Sequence, residues 1–219
     1  MATHWKSRRF AARVLKVLAR HRAVAAIGAY DASLGPKANA FITTYDTAAR
    51  YEGTWRKEMT EGRGAMAALL AEINAWKPHV ARERPGYDLT TIGDRPAVPE
   101  DLIQDGIALA EQLESVAAPW AAAGATALRA KATDAERETD EAAAADAQHS
   151  ANLTAVRAAQ AAFDAELQLF RNTLRATIGR SHPDFQKLRA EKVATTDADD
   201  DPAAPAPSPP VAPAPAPPA

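Results

Sequence analysis

The sequence contains no cysteine, which excludes disulfides, thiolate metal sites and cysteine nucleophiles. No apolar run approaches the roughly 18 residues that a membrane-spanning helix needs. Aromatic residues make up only 6% of the chain. β-Branched residues nowhere form runs alternating with polar ones, so a sheet lacks the side chains that would stabilise it. A glycine-rich phosphate loop, Gly-x-Ser-x-Gly, His-Glu-x-x-His and a calcium loop are all missing. No catalytic residue, small-molecule substrate or cofactor is therefore expected. The first residues lack an apolar stretch followed by a cleavage site, so a cytoplasmic location is the expectation.

What remains is helical. Apolar residues reach 47%, much of it alanine, which favours helix but buries little area per residue. Proline in a helix interior costs about 3 kcal/mol or more, so proline-free stretches mark where long helices can run. None occurs between Lys37 and Lys77 or between Trp120 and His182.

The first helix is expected over about residues 4–30, on the stripe Phe10, Val14, Val17, His21 and Val24, widened by Leu18 and Ile27. Asp31 to Pro36 reads as a turn. The second helix carries the clearest signal. Phe41, Tyr45, Ala48, Glu52, Trp55, Met59, Gly62, Met66, Leu69, Ile73, Trp76 and Val80 alternate spacings of four and three without a break. This is a heptad seam, and it predicts core positions for Trp55, Met59, Met66 and Trp76 rather than a cofactor box.

Residues 78–99 carry four prolines and two glycines and predict a long crossover loop, pinned by Tyr87, Leu89 and Ile92. A third helix should begin at Pro99-Glu100-Asp101, where acids meet the positive end of the helix dipole. Pro119 and Gly124 weaken its end. Thr133-Asp-Ala-Glu136 has the form of a capping box, which would start a fourth helix; an unbroken helix with a turn nearer residue 145 is the alternative. A second seam runs through Leu153, Val156, Gln160, Phe163, Leu167, Phe170 and Leu174 and fades upstream onto Thr139, Ala142, Asp146 and His149. A short turn carrying Phe185 and Leu188 should follow Pro183. The expected fold is all-α: an elongated antiparallel bundle of about four helices with coiled-coil-like packing over residues 1–193. Residues 194–219 combine four aspartates with alternating Pro and Ala and read as a disordered tail.

The net charge of −2 conceals segregation. Residues 1–30 hold seven Lys and Arg and no acid, whereas residues 99–150 hold eleven acids and three bases. The face Lys6, Arg9, Arg13, Lys16 and Arg20 suits an anionic lipid surface or a phosphate backbone. The plainer expectation is that this helix packs into the bundle and turns its charge to solvent or to the acidic third helix. A transit peptide fits less well, because Ser and Thr are few there. Asn152-Leu-Thr154 matches a glycosylation sequon but falls inside a predicted helix.

Glu52, Asp146 and His149 occupy seam positions that call for apolar residues. With the second and fourth helices parallel, as in an up-down bundle, they come level, and His21 lies within about a turn of them. A solvated or salt-bridged polar layer is the first expectation for these four. A metal site on Glu52, Asp146 and His149 is the more remote one, since carboxylate bundles use Glu-x-x-His pairs that are missing here. The sequence therefore favours a non-enzymatic scaffold or interaction protein that binds a protein partner or itself. An anionic membrane or nucleic-acid module is the alternative, and a metal-binding bundle is third.

Overall fold

The computed structural model describes the backbone of residues 2–93 and 98–189 and the side chains of residues 6–93 and 98–188. The expectation for residues 194–219 lies outside the described residues. The described chain is all-α, without a strand. Its helices are α1 (Ala2–Arg20), α2 (Ala25–Gly28), α3 (Leu34–Glu83), α4 (Pro99–Glu114), α5 (Ala121–Ile178) and α6 (Pro183–Arg189), with a 3-10 turn at Ala29–Asp31. No helix among the described residues is long and apolar enough to cross a membrane.

Two long helices form the frame. Phe41 stacks on Phe163 at 6.0 Å, Trp55 on His149 at 4.3 Å and Trp76 on Trp120 at 5.9 Å, so α3 and α5 run antiparallel. They approach closely at Gly62, where a Cβ would stand 3.1 Å from the Cβ of Ala142 and 3.2 Å from the Glu138 carbonyl oxygen. The α5 register that carries Phe163 and Phe170 continues upstream through Ala142, Ala135, Ala132 and Leu128, all buried. The seam fades at the exposed Asp146 and the half-buried Thr139 and His149, as expected, and otherwise passes onto alanine, which lets the two backbones close up.

At 1.5 Å per residue, α3 is about 75 Å long and α5 about 87 Å, whereas α1 and α4 reach only about 28 and 24 Å. Neither short helix spans the frame, and each builds a core at one end. In the first core, Phe10, Val14, Val17 and Leu18 of α1 meet Leu34 and Phe41 of α3, Phe163 and Phe170 of α5, and Phe185 and Leu188 of α6. In the second, Leu102, Leu109 and Leu113 of α4 meet Leu69, Ile73 and Val80 of α3 and Leu128 of α5. Between the cores lies a waist of two helices. With no third helix to cover them, Trp55 and Met59 are half-buried there, and Met66 and Trp76, packed at the margin of the second core, are half-buried too, so all four fall short of the core burial their seam positions predict.

Several boundaries differ from expectation. The first helix stops at Arg20 rather than near residue 30. His21 turns to Asp184, and Gly28 returns so close that a Cβ would meet the Arg22 carbonyl oxygen at 2.5 Å. The second helix continues through Pro78 to Glu83. Pro78 forfeits one backbone hydrogen bond, but Val80 beyond it is fully buried, and that burial offsets the loss.

The connection is accordingly residues 84–98. Ile92 is buried and Tyr87 and Leu89 pack against the second core, as expected. Lys77 Nζ donates to the Ile92 carbonyl at 2.5 Å, and Gly93 (φ 72°) donates its N–H to Asp105 at 2.7 Å. The proposed capping box starts no helix. Ala132 and Ala135 carry the seam straight through it, and Asp134 pairs with Arg137 at 2.8 Å. Residues 121–178 form one helix, with no turn near residue 145.

Candidate functional site

The apolar stripe of α1 is spent on the first core, so its basic residues face outward. The seven-residue helix α6 packs beside it, because Phe185 and Leu188 join the same core. Between the two helices lies a groove of about 680 Å³, lined by Arg8, Arg9, Arg13, Lys16 and Arg20 of α1 and by Asp184 and Lys187 of α6. Of the expected basic face, Arg9, Arg13, Lys16 and Arg20 line this groove; Lys6 is exposed and lies outside it.

Asp184 is the groove's one carboxylate, and its side chain is 3% exposed. Arg20 donates to one of its oxygens at 2.5 Å, and His21 Nε2 lies 2.9 Å from the other. Lys187 stands at 3.6 Å, and the Asp184 backbone N–H donates to His182 Nδ1 at 3.2 Å. The hydrogen bond from the Arg20 guanidinium dominates, and with His21 and Lys187 it outweighs the cost of burial. The Asp184 carboxyl is held down to about 2. This cluster clamps the end of α1 to the start of α6.

A depressed carboxyl contributes stability that is complete above its ordinary value of 3.8 and is lost as pH falls towards about 2. At neutral pH the Asp184 contribution is about 2 kcal/mol. Asp184→Asn should lose that amount, and its melting temperature should fall less steeply than that of the wild type between about pH 4 and pH 2. Calorimetry across that range checks it; parallel curves for both chains would place the acid sensitivity elsewhere.

The remaining cations are not an isolated stripe. Arg8 makes a paired contact with Asp46 at 2.6 and 2.8 Å, and Arg22 pairs with Asp31. Arg9 and Arg13 also carry interactions of their own. The acids that meet Arg8, Arg20 and Arg22 all lie outside residues 100–146. The acidic α4 belongs to the second core, at the far end of the frame, so the third helix is not the partner of Arg8, Arg20 or Arg22.

The expected polar layer is only partly assembled. At the waist, Trp55 Nε1 donates to Asp146 Oδ1 at 3.0 Å, and the His149 ring lies flat on Trp55. His149 Nδ1 is buried without a hydrogen-bond partner. Glu52 instead pairs with Arg56, one turn along its own helix. Trp55 thus engages both Asp146 and His149, while Glu52 is held by Arg56. His21 stands far away. Because α1 runs antiparallel to α3 with Arg8 level with Asp46, His21 comes level with about residue 33, roughly 28 Å along the axis from Glu52.

Two other clusters, among the described residues, bring ligand-type atoms within 4.8 Å of one another: His21, His182 and Asp184, and Glu58, Glu138 and Glu141. In the first, Arg20 and Lys187 already neutralise the carboxylate. In the second, Lys57 holds Glu58, and Arg137 holds Glu138 and Glu141. Both are ion-pair networks. Sequence reasoning missed Asp184 and Lys187, since only the folding of α6 back onto α1 brings them to the groove. No protein-family model, curated protein or solved structure matches the chain.

Proposed function

We propose that this chain is a non-enzymatic helical scaffold that acts through its surfaces, with a protein partner or a second copy of itself. The observation that carries this reading is the pair of separate cores held apart by α3 and α5. Phe41 marks one core and Leu69 the other, about 42 Å apart at 1.5 Å per residue. A two-stranded antiparallel coiled coil between them is a spacer, and each end offers a folded surface of its own. A cytoplasmic location belongs to the same reading. Proximity labelling in the native cell from tags placed at each end, together with sedimentation velocity over a range of concentrations, tests it. The reading expects a protein neighbour enriched from at least one end, or a concentration-dependent dimer. A strict monomer with no enriched neighbour contradicts it.

The groove favours a second reading, in which this end contacts a phosphate-bearing surface. Since the apolar face of α1 is buried in the first core, such contact is electrostatic and does not insert the helix into lipid. Each basic residue near an anionic membrane contributes about 1 kcal/mol. Binding to anionic vesicles or nucleic acid should therefore fall steeply with salt. It should disappear when Arg9, Arg13, Lys16 and Arg20 are changed to Gln. Co-sedimentation and mobility shift at low and high salt measure this, and wild-type binding that ignores salt would rule the second reading out.

A further inference from the structure

In the waist between the two cores, α3 and α5 are built from opposite kinds of residue. On the α5 side, residues 141–147 read Glu-Ala-Ala-Ala-Ala-Asp-Ala, and alanine is the strongest helix former. Arg137 adds bonds to Asp134 and Glu141 along the same helix, at 2.8 and 3.1 Å. The α3 side carries Gly53, Gly62 and Gly64 within twelve residues. The close approach to Ala142 explains Gly62. It does not explain the other two, since a Cβ at Gly53 or Gly64 would meet nothing within 4 Å. Each of these glycines weakens the helix without a gain in packing. Between Ala48 and Leu69, moreover, Gly62 is the only buried residue of α3.

The contact between the two helices is also poorly satisfied at this level. Glu138 Oε2, Thr139 Oγ1 and His149 Nδ1, all on α5, are buried without a hydrogen-bond partner. Thr126 and Thr154 of the same helix donate to carbonyl oxygens one turn back, at 2.8 and 3.0 Å, whereas Thr139 makes no such bond. Burying a polar atom without a partner costs free energy that hydration would recover. Glu58 of α3 meets Glu138 and Glu141 of α5, with carboxylate oxygens within 4.8 Å of one another. Their cations come from their own helices, Lys57 for Glu58 and Arg137 for the other two. Like charges therefore face each other across the waist.

We propose that α3 opens locally between Gly53 and Gly64 while α5 stays helical and both cores stay folded. Opening hydrates Glu138, Thr139 and His149 and separates Glu58 from Glu138 and Glu141. It gives up the hydrogen bond from Trp55 to Asp146 and the half-buried contacts of Trp55 and Met59, but no fully buried large side chain. This rests on the two-helix waist of the spacer reading, and it makes the spacer a jointed one. With α3 open, a single helix joins the cores, and their relative orientation is released.

Hydrogen exchange of the full chain, read by mass spectrometry, tests the opening. Relative to intrinsic rates, residues 53–64 should exchange at least about tenfold faster than residues 69–80 of the same helix. They should also exchange faster than residues 140–151 of α5, which lie opposite. In the variant carrying Gly53→Ala and Gly64→Ala, exchange over 53–64 should slow by about twentyfold, or about fivefold for each glycine replaced in a helix. Exchange over 69–80 should not change.

Equal protection of 53–64 and 140–151 overturns the proposal, because α5 would then open together with α3. A variant that exchanges like the wild type overturns it too, since alanine at these two open positions acts only through helix formation. So does equal slowing over 53–64 and 69–80, which would mean that the segment exchanges only when the whole chain unfolds. None of these results bears on whether the ends bind a partner, which labelling and sedimentation decide separately.

Discussion

Phe170→Ala should lower stability by about 3–5 kcal/mol, the usual cost of emptying an aromatic site that cannot collapse. Phe170 is fully buried, Tyr30 packs edge-on against it at 5.3 Å, and α1, α3 and α6 close around the same core. The loss should be local as well as large. Only two helices connect the first core to the second, so hydrogen exchange should accelerate in α1, α6 and the C-terminal half of α5 while α4 keeps its protection. Denaturant unfolding gives the magnitude and exchange gives the pattern. Equal acceleration in α4 would mean that the two cores unfold as one unit.

Leu69→Ala is the matching experiment at the other end, with an expected cost of about 2–5 kcal/mol. Leu69 is fully buried and fills the space left by Gly106, where a Cβ would stand 2.9 Å from its Cδ1 atom. Loss of the side chain should loosen α4 and the loop around Ile92 and leave α1 unchanged. A cost under about 1 kcal/mol would show that α4 can slide in to fill the hole. The two substitutions act on side chains far apart and without common neighbours, so their costs should add to within about 0.5 kcal/mol.

Much of this architecture was legible in the residues, for an identifiable reason. The seam of α3 is written in large side chains, Phe41, Tyr45, Leu69, Ile73 and Val80, whose spacing is unambiguous. The seam of α5 is written in large residues only from Leu153 onward. Upstream it is carried by Ala132, Ala135 and Ala142, which look like the many exposed alanines around them. With no large side chains to mark that half, Thr133-Asp-Ala-Glu136 reads as a helix start. A helix boundary there would make the second and fourth helices parallel, whereas the single long α5 runs antiparallel to α3.

The candidate site divides in the same way. The basic face of α1 followed from sequence, because local charge and helical spacing are enough to define it. Asp184 and Lys187 could not be assigned to it, because nothing local says that α6 folds back beside α1. Trp55 shows the opposite limit. Its seam position predicted burial, but burial depends on how many helices surround the seam, and at the waist there are two.

The central claim is that α3 and α5 form one antiparallel pair with a core at each end. Spin labels on a chain without native cysteine test it directly. Ala49, Ala130 and Ala155 are all exposed. In the antiparallel register Ala49 and Ala155 are level, so labels at 49 and 155 should report a separation close to the width of a helix pair. Labels at 49 and 130 should be about 38 Å apart along the axis at 1.5 Å per residue. A parallel arrangement with residues 37 and 133 level would shorten the second axial separation to about 22 Å and lengthen the first to about 15 Å. That result would contradict the fold described here and the spacer reading built on it.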